Sequence, residues 1–438
     1  MKRLPRWVRT VVAGGTVAFV TLVLASPAMA EPATTAAYPA GAAATRYSGL
    51  AFDTCTAPTL AAIQAWGASP YRGIGVYIGG VNRTCSQPQL TASWVTAVSK
   101  LKWRLLPVYK GLQPPCGGKL TDQKIIPSQA ASEGTAAADD AAAKATALGL
   151  RPGSAFYNDI ENYSTTDTAC RTAVLTFLSA WTRELHRLGY VAGVYANLSS
   201  GALDLSSTYT STSYARPDAL WIARYDGNPS LTGWAGISDS KWAVHHRAKQ
   251  YRGGHNETYG GVTINIDNDN VDASAATVAY GYAVTSSSAL NARTGPSTSY
   301  PIVTTYAPGS TVPVVCQAPG STIGSTSVWD KLSTGTYVTD YYSSTPSNTG
   351  YSAPLPRCSY PYQVTASAGL TERAGPGTAY PIAGQLPNGA LAWVVCQKAG
   401  STVGTTAVWD KLTDSHWVSD YYVATPSNTT YSKPAPRC

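Results

Sequence analysis

Residues 155–161 read Ala155-Phe156-Tyr157-Asn158-Asp159-Ile160-Glu161. Side chains on a strand alternate between its two faces. Asp159 and Glu161 therefore share one face, and Phe156 and Ile160 share the other. Acids on one side and apolar groups on the other fit a wall between a polar interior and an outer helical layer.

Seven further runs of the same kind surround this one: Gly49–Asp53, Gly73–Ile78, Arg104–Tyr109, Val191–Tyr195, Ala219–Tyr225, Trp242–Tyr251 and Val262–Asp269. Helix-like stretches separate several of them. Val174, Leu178, Trp181, Leu185 and Leu188 recur at helical spacing, and Gly189 ends the run. An alanine-rich stretch from Ser128 to Leu148 stops at Gly149. Alternating strands and helices predict parallel strands with crossover helices. Eight strands between residues 45 and 275 predict a (β/α)8 barrel of the TIM type with trimmed later helices.

Chemistry in such a barrel sits at the C-terminal ends of the strands. Here those ends are acidic. Asp53 closes the first, Asp159 and Glu161 the fourth, and Asp267 the eighth. Ile264 and Ile266 are expected to face the helices, which turns Asn265, Asp267 and Asp269 inward. A single strand-end acid is ordinarily a solvated group or a helix cap. Acids on three strand ends predict a shared pocket in which repulsion raises at least one pKa, as a general acid requires. The strand ends also offer Tyr77, Tyr109, Tyr195, Asn197, Trp221, Arg224 and Gln250 as candidate substrate contacts.

The first thirty residues carry Lys2, Arg3, Arg6 and Arg9, an apolar run from Val11 to Leu24, and Ala28-Met29-Ala30. This is the pattern of a cleaved export signal at 1–30, with a flexible segment at 31–44. Loss of those four cations takes the net charge from +8 to +4. So weak and scattered a charge does not argue for nucleic acid, and suits an anionic wall. Nothing later is apolar enough to span a membrane, and a monomer is expected. Eight cysteines in an exported chain read as disulfides. Four of them, Cys55, Cys85, Cys116 and Cys170, each follow one of the first four strands. Neighbouring loops favour Cys55–Cys85 and Cys116–Cys170.

From about residue 282 the chain repeats with an offset of 80. Leu290-Asn291-Ala292-Arg293-Thr294-Gly295-Pro296 returns as Leu370-Thr371-Glu372-Arg373-Ala374-Gly375-Pro376, and Val328-Trp329-Asp330-Lys331-Leu332 as Val408-Trp409-Asp410-Lys411-Leu412. The copies span 282–358 and 362–438. Duplication pairs Cys316 with Cys358 and Cys396 with Cys438, each ring worth roughly 4 kcal/mol in the loop-entropy model. Short runs rich in Val, Thr and Tyr predict two small β domains. Trp329 and Trp409 read as core, Tyr300 and Tyr380 as a binding face.

No cofactor or metal is expected. His245-His246 has no partner at ligand spacing. Asp267-Asn-Asp-Asn-Val-Asp272 opens like a calcium loop but lacks its glycine and distal glutamate, leaving at most a casual surface calcium site. A Gly-x-Ser-x-Gly elbow is also missing.

Leu-x-x-Arg-x-Gly-Pro, Tyr-Pro-Ile and Trp-Asp-Lys-Leu in each copy resemble the bacterial SH3-like domain, which implies a small β-barrel and often a cell-wall ligand. The larger segment resembles the family-25 glycoside hydrolases, the muramidase barrels, and still more the glycoside-hydrolase-like barrel of secreted actinobacterial proteins. Gly49-Leu-Ala-Phe-Asp53, Asp159-x-Glu161, Gly193-Val-Tyr-Ala-Asn197, Leu220-Trp-Ile-Ala-Arg224, Lys249-Gln-Tyr251 and Ile266-Asp267 carry that likeness. It implies Glu161 as general acid. Asp159 would orient the substrate or act as nucleophile or base, and Asp53 and Asp267 would flank the site. The expected substrate is peptidoglycan or another glycan. The alternative is a barrel that binds glycan or wall without cleaving it.

Overall fold

The computed structural model describes residues 45–243, 245–386 and 388–438. The expected export signal and flexible segment lie outside the described residues. The larger unit runs β1 (Thr45–Asp53), α1 (Leu60–Ala65), β2 (Gly73–Gly79), α2 (Ala92–Lys100), β3 (Arg104–Tyr109), α3 (Ala130–Ala147) and β4 (Ala155–Ile160). It continues through α4 (Thr168–Leu188), β5 (Val191–Asn197), α5 (Leu203–Ser207), β6 (Ala219–Ala223), β7 (Arg247–Tyr259) and β8 (Val262–Ala275). The eight strands close into a barrel in chain order.

Its topology corrects the expectation of a TIM-type barrel. β1 to β7 pair in parallel, but β8 is antiparallel to both β7 and β1. The cause is local. Only Gly260 and Gly261 separate β7 from β8, and both have positive φ, 57° and 77°. Two such residues make a tight hairpin, whereas a parallel return needs a crossover of a dozen or more residues. Among the described residues no helix lies between β6 and β7 either. The segment 267–272 is strand, not loop.

Helix α4 follows its sequence signals. Asp167 caps its first turn by accepting from the Cys170 N–H at 3.0 Å, and Gly189 ends it at φ 86°. Val174, Leu178, Trp181 and Leu185 are buried beneath it. The small residues of α3 let the two helices approach closely. A Cβ on Gly134 would lie 2.2 Å from the Phe177 carbonyl oxygen.

Each duplicated unit is a six-stranded, all-antiparallel curled sheet. The first contains β9 (Tyr280–Ala283), β10 (Leu290–Arg293), β11 (Ile302–Tyr306), β12 (Thr311–Ile323), β13 (Thr326–Leu332) and β14 (Tyr337–Thr339). The second contains β15 (Tyr360–Gln363), β16 (Leu370–Arg373), β17 (Ile382–Leu386), β18 (Leu391–Val403), β19 (Thr406–Leu412) and β20 (Trp417–Ser419). Strand order is the same in both. Each holds a buried polar knot. Gln317 donates to Asp330 at 2.9 Å and to Asp340 at 2.8 Å, and Gln397 does the same for Asp410 and Asp420. Trp329 and Trp409 are buried, as expected. All four disulfides join the expected partners.

The repeats pack against the barrel floor, at the end opposite the strand C-termini. Leu391 and Trp393 of β18 belong to one buried cluster with the interior residues Leu106, Ala155, Val191, Ala219, Ala248 and Ala273. His246, fully buried, accepts from the Leu391 N–H at 3.3 Å. Arg216 donates to the Gly389 carbonyl at 2.5 Å. On the other copy, Tyr280, Val284, Leu290 and Val312 continue the barrel's outer core. Trp393 thus stoppers the floor, and Trp393→Ala should cost about 3–5 kcal/mol. Calorimetry of the full chain should then resolve the second repeat as a separate, earlier transition.

Candidate active site

The barrel interior follows the strand period. Below, Ala51, Leu106, Val108, Ala155, Tyr157, Val191 and Val271 fill it. Above them Trp221 lies edge-on to Tyr157 and Tyr195, with ring centroids 5.4 and 5.5 Å away. Glycine makes the space: a Cβ on Gly75 would lie 2.4 Å from the Asp53 Cβ and 3.2 Å from Trp221.

The acids stand on this apolar floor. Asp53 ends β1 and faces Asp267 in the β1–β8 register. Asp269 lies one inward step deeper on β8, fully buried, and accepts from the Trp221 indole N–H at 3.0 Å. Burial foremost, and then the nearby Asp267, push the Asp53 carboxyl up to about 8. Burial likewise raises Asp267, with His255 opposing. It raises Asp269 well above the usual range, reinforced by Asp53 and Asp267. Asp53, at about 8, therefore retains its proton at neutral pH.

Gln250, inward on β7, ties the acids to the aromatics. It donates to Asp53 at 2.5 Å and accepts from the hydroxyls of Tyr195 at 2.7 Å and Tyr225 at 2.8 Å. Tyr77 shares the acidic interior. Burial first, then Asp53 and Asp159, hold its hydroxyl well above the usual range.

On the opposite wall, Lys110 follows β3 and bridges both acids of the fourth strand. Its Nζ is 3.0 Å from Asp159 Oδ2 and also hydrogen-bonds Glu161. Asp159 is 1% exposed, whereas the Glu161 side chain is 39% exposed and opens to solvent. Burial raises Asp159 to about 6 against the pull of Lys110. Buried Gln113 locks this strand end, donating to the Asp159 carbonyl at 2.7 Å and accepting from the Glu161 N–H at 2.9 Å.

The expected inward set is thus partly assembled. Asp53, Asp159, Glu161, Asp267, Tyr77, Tyr195 and Gln250 meet at the mouth. Four expected contacts do not. Tyr109 points outward, 5.6 Å from the Trp181 ring, and donates to Asp140 at 2.9 Å; Lys110, one residue on, takes the inward place. Trp221 is inward but sealed beneath the acids. Asn197 caps the turn after β5 by accepting from the Ser199 N–H at 2.9 Å. Arg224 turns to Asp226 at 2.9 Å. Lys110, Gln113 and Tyr225 are additions. The alternation Leu106, Val108, Lys110 held the signal for the first.

Residues 64–271 match the family described as Rv2525c-like, glycoside hydrolase-like domain. That stretch begins in α1 and stops inside β8. The uncharacterised protein YraI of Bacillus subtilis (strain 168) is 34% identical over 110 residues, covering 23% of this chain and 92% of YraI. Among solved structures, the Tat-secreted protein Rv2525c of Mycobacterium tuberculosis, in complex with L-tartrate, is 15% identical. It covers 51% of this chain and 96% of its own at a TM-score of 0.37. The catalytic domain of endolysin ply40, from bacteriophage P40 of Listeria monocytogenes, is 15% identical. It covers 52% and 94% at a TM-score of 0.32. The chain therefore belongs to one family with YraI over the aligned 110 residues, and its barrel carries an Rv2525c-like, glycoside hydrolase-like domain.

Proposed function

We propose that the barrel hydrolyses a glycan of the bacterial cell wall, with peptidoglycan the favoured substrate, and that the two curled sheets are SH3-like wall-binding modules. The carrying observation is the convergence of acids from β1, β4 and β8 over a dry floor, within a glycoside hydrolase-like domain. Hydrolysis at a sugar needs one protonated and one ionised carboxyl. Glu161, the acid on the fourth strand open to solvent, is assigned the proton transfer to the glycosidic oxygen. Asp159, held by Lys110, orients the sugar or its N-acetyl group, or serves as the second carboxyl. Asp53 and Asp267 share protons across the facing wall and hydrogen-bond sugar hydroxyls, with Tyr77 and Tyr225 as flanking surfaces. Four disulfides suit an oxidising, extracellular setting. No described helix is long and apolar enough to cross a membrane.

A second reading, glycan binding without cleavage, has one observation in its favour. Lys110 hydrogen-bonds both Asp159 and Glu161. In a hydrolase the substrate must draw Glu161 away from that ammonium.

Reducing-end release from purified cell wall separates the two. Glu161→Gln should lower release by about 10²–10⁴-fold, the usual worth of a general acid or base. Wall binding with no release from the native chain would favour the binding reading.

Stability should fall as pH rises. Asp53 has its folded pKa raised to about 8, against about 3.9 unfolded. Its contribution is full below the unfolded value and is lost as pH climbs through the folded one. The thermal midpoint should drop between about pH 4 and 8, and Asp53→Asn should flatten part of that slope.

A further inference from the structure

The two β units share an ancestor, so the places where they differ report what one copy has acquired. At one corner of the second unit several positions differ together. Ala292 on β10 becomes Glu372 on β16. Thr334-Gly335-Thr336 in the turn before β14 becomes Asp414-Ser415-His416 before β20. In the first copy that turn is closed by a neutral bond between the Thr334 and Thr336 hydroxyls at 2.8 Å. In the second it carries a carboxylate and an imidazole.

The volume changes are compensated. Ala292 pairs with Thr304 across β10 and β11, whereas Glu372 pairs with Gly384 across β16 and β17. A Cβ on Gly384 would lie 2.4 Å from Glu372 Oε2. A small–large pair has become large–small, and the exchanged space holds the Glu372 carboxylate. That carboxylate is expensive to keep there. Glu372 is only 7% exposed, and its Oε1 is buried and accepts no hydrogen bond. Burial, and then the facing Asp414, push it up to about 7. His416 Nδ1 lies 3.3 Å from Asp414 Oδ2 and makes no hydrogen bond of its own. Arg46 of β1 partly offsets Asp414 from the barrel side.

One ligand atom from each of Glu372, Asp414 and His416 lies within 4.8 Å of the others, the one such triplet among the described residues. We propose that the second repeat binds a divalent transition-metal cation of the zinc class through these three side chains. One imidazole nitrogen and two carboxylate oxygens suit a borderline cation better than calcium or magnesium, which take oxygen ligands. Asp414 is exposed, so water completes the shell. The cation satisfies Glu372 Oε1 and clamps the 413–416 turn to β16. Thr413 of that turn donates to the Trp393 carbonyl at 3.1 Å, so the clamp sits beside the residue that stoppers the barrel. This departs from the sequence expectation of no metal.

The test is zinc titration of the chelator-treated full chain by calorimetry, with thermal unfolding in parallel. One equivalent should bind and raise the unfolding midpoint, and calcium and magnesium should bind far more weakly. Glu372→Gln and His416→Gln should each weaken zinc by more than the roughly 10–100-fold typical of outer-shell changes. A chain given the first copy's residues (Glu372→Ala, Gly384→Thr, Asp414→Thr, Ser415→Gly, His416→Thr) should fold and lose both binding and zinc-dependent stabilisation. The first copy already packs that set, so misfolding is not the expected cause. No saturable zinc binding by the native chain, or undiminished binding by the exchanged chain, would overturn the proposal.

Discussion

A closed wall of strands leaves each residue two options, inside or outside, and the choice alternates. Everything in the barrel descends from that constraint. At the floor the inside is filled by alanines, valines, Tyr157 and Trp221. Gly193 yields the room that the Tyr157 ring occupies, where a Cβ would lie 2.4 Å from it. Above Trp221 the same inward positions become acids. Their proximity to a dry floor, more than to one another, is the leading cause that lifts Asp53 and Asp159 out of the ordinary carboxylate range. Acid chemistry and core packing are thus successive layers of one alternating pattern.

That pattern was legible wherever a strand is regular. Parity alone assigns Asp159, Glu161, Asp267 and Asp269 to the interior, while Asp53, Tyr195 and Gln250 are marked only by their place at strand ends; Asn265, given the same inward direction, is exposed. It failed at strand ends and in depth. Tyr109 ends its strand as the other candidates do, but the face beside the acids goes to Lys110, whose cation carries none of the acidic signal that marks the other strand ends. Trp221 has the right direction and the wrong height, because period says nothing about how far a ring lies below the rim. Asn197 has the polarity of a ligand contact, but the turn after β5 uses its side chain as a cap. The reversal of β8 was written in Tyr259-Gly260-Gly261-Val262, a hairpin signal overridden by the count of eight strands. Asp267 reached the mouth all the same: β8 enters there, in its first half, where a parallel strand would have ended.

Duplication was plain from the offset of 80, and the cysteine pairs followed. Docking was not plain, yet its trace is in the differences between copies. Thr311 and Pro313 of the first unit correspond to Leu391 and Trp393 of the second, the side chains that enter the barrel floor. A small β unit always needs apolar strand residues, so Leu391 and Trp393 look ordinary in isolation. Only comparison with the sister copy marks them as outward-facing and committed to another partner. The buried Gln317 and Gln397 knots, by contrast, are identical in the two units and define the shared scaffold.

The stoppered floor also governs reach. A module on a loose leash gains effective concentration because it can explore the volume around its anchor, and that gain vanishes if geometry forbids engaging both sites together. Here the leash is absent: Trp393, Leu391 and Arg216 weld the second unit to the barrel end farthest from the acids. If the repeats hold wall polymer as proposed, that strand is kept behind the mouth, at a stand-off set by the barrel's own height. On the proposed function, the mouth would then meet a neighbouring strand, and the molecule would span between polymers and not travel along one.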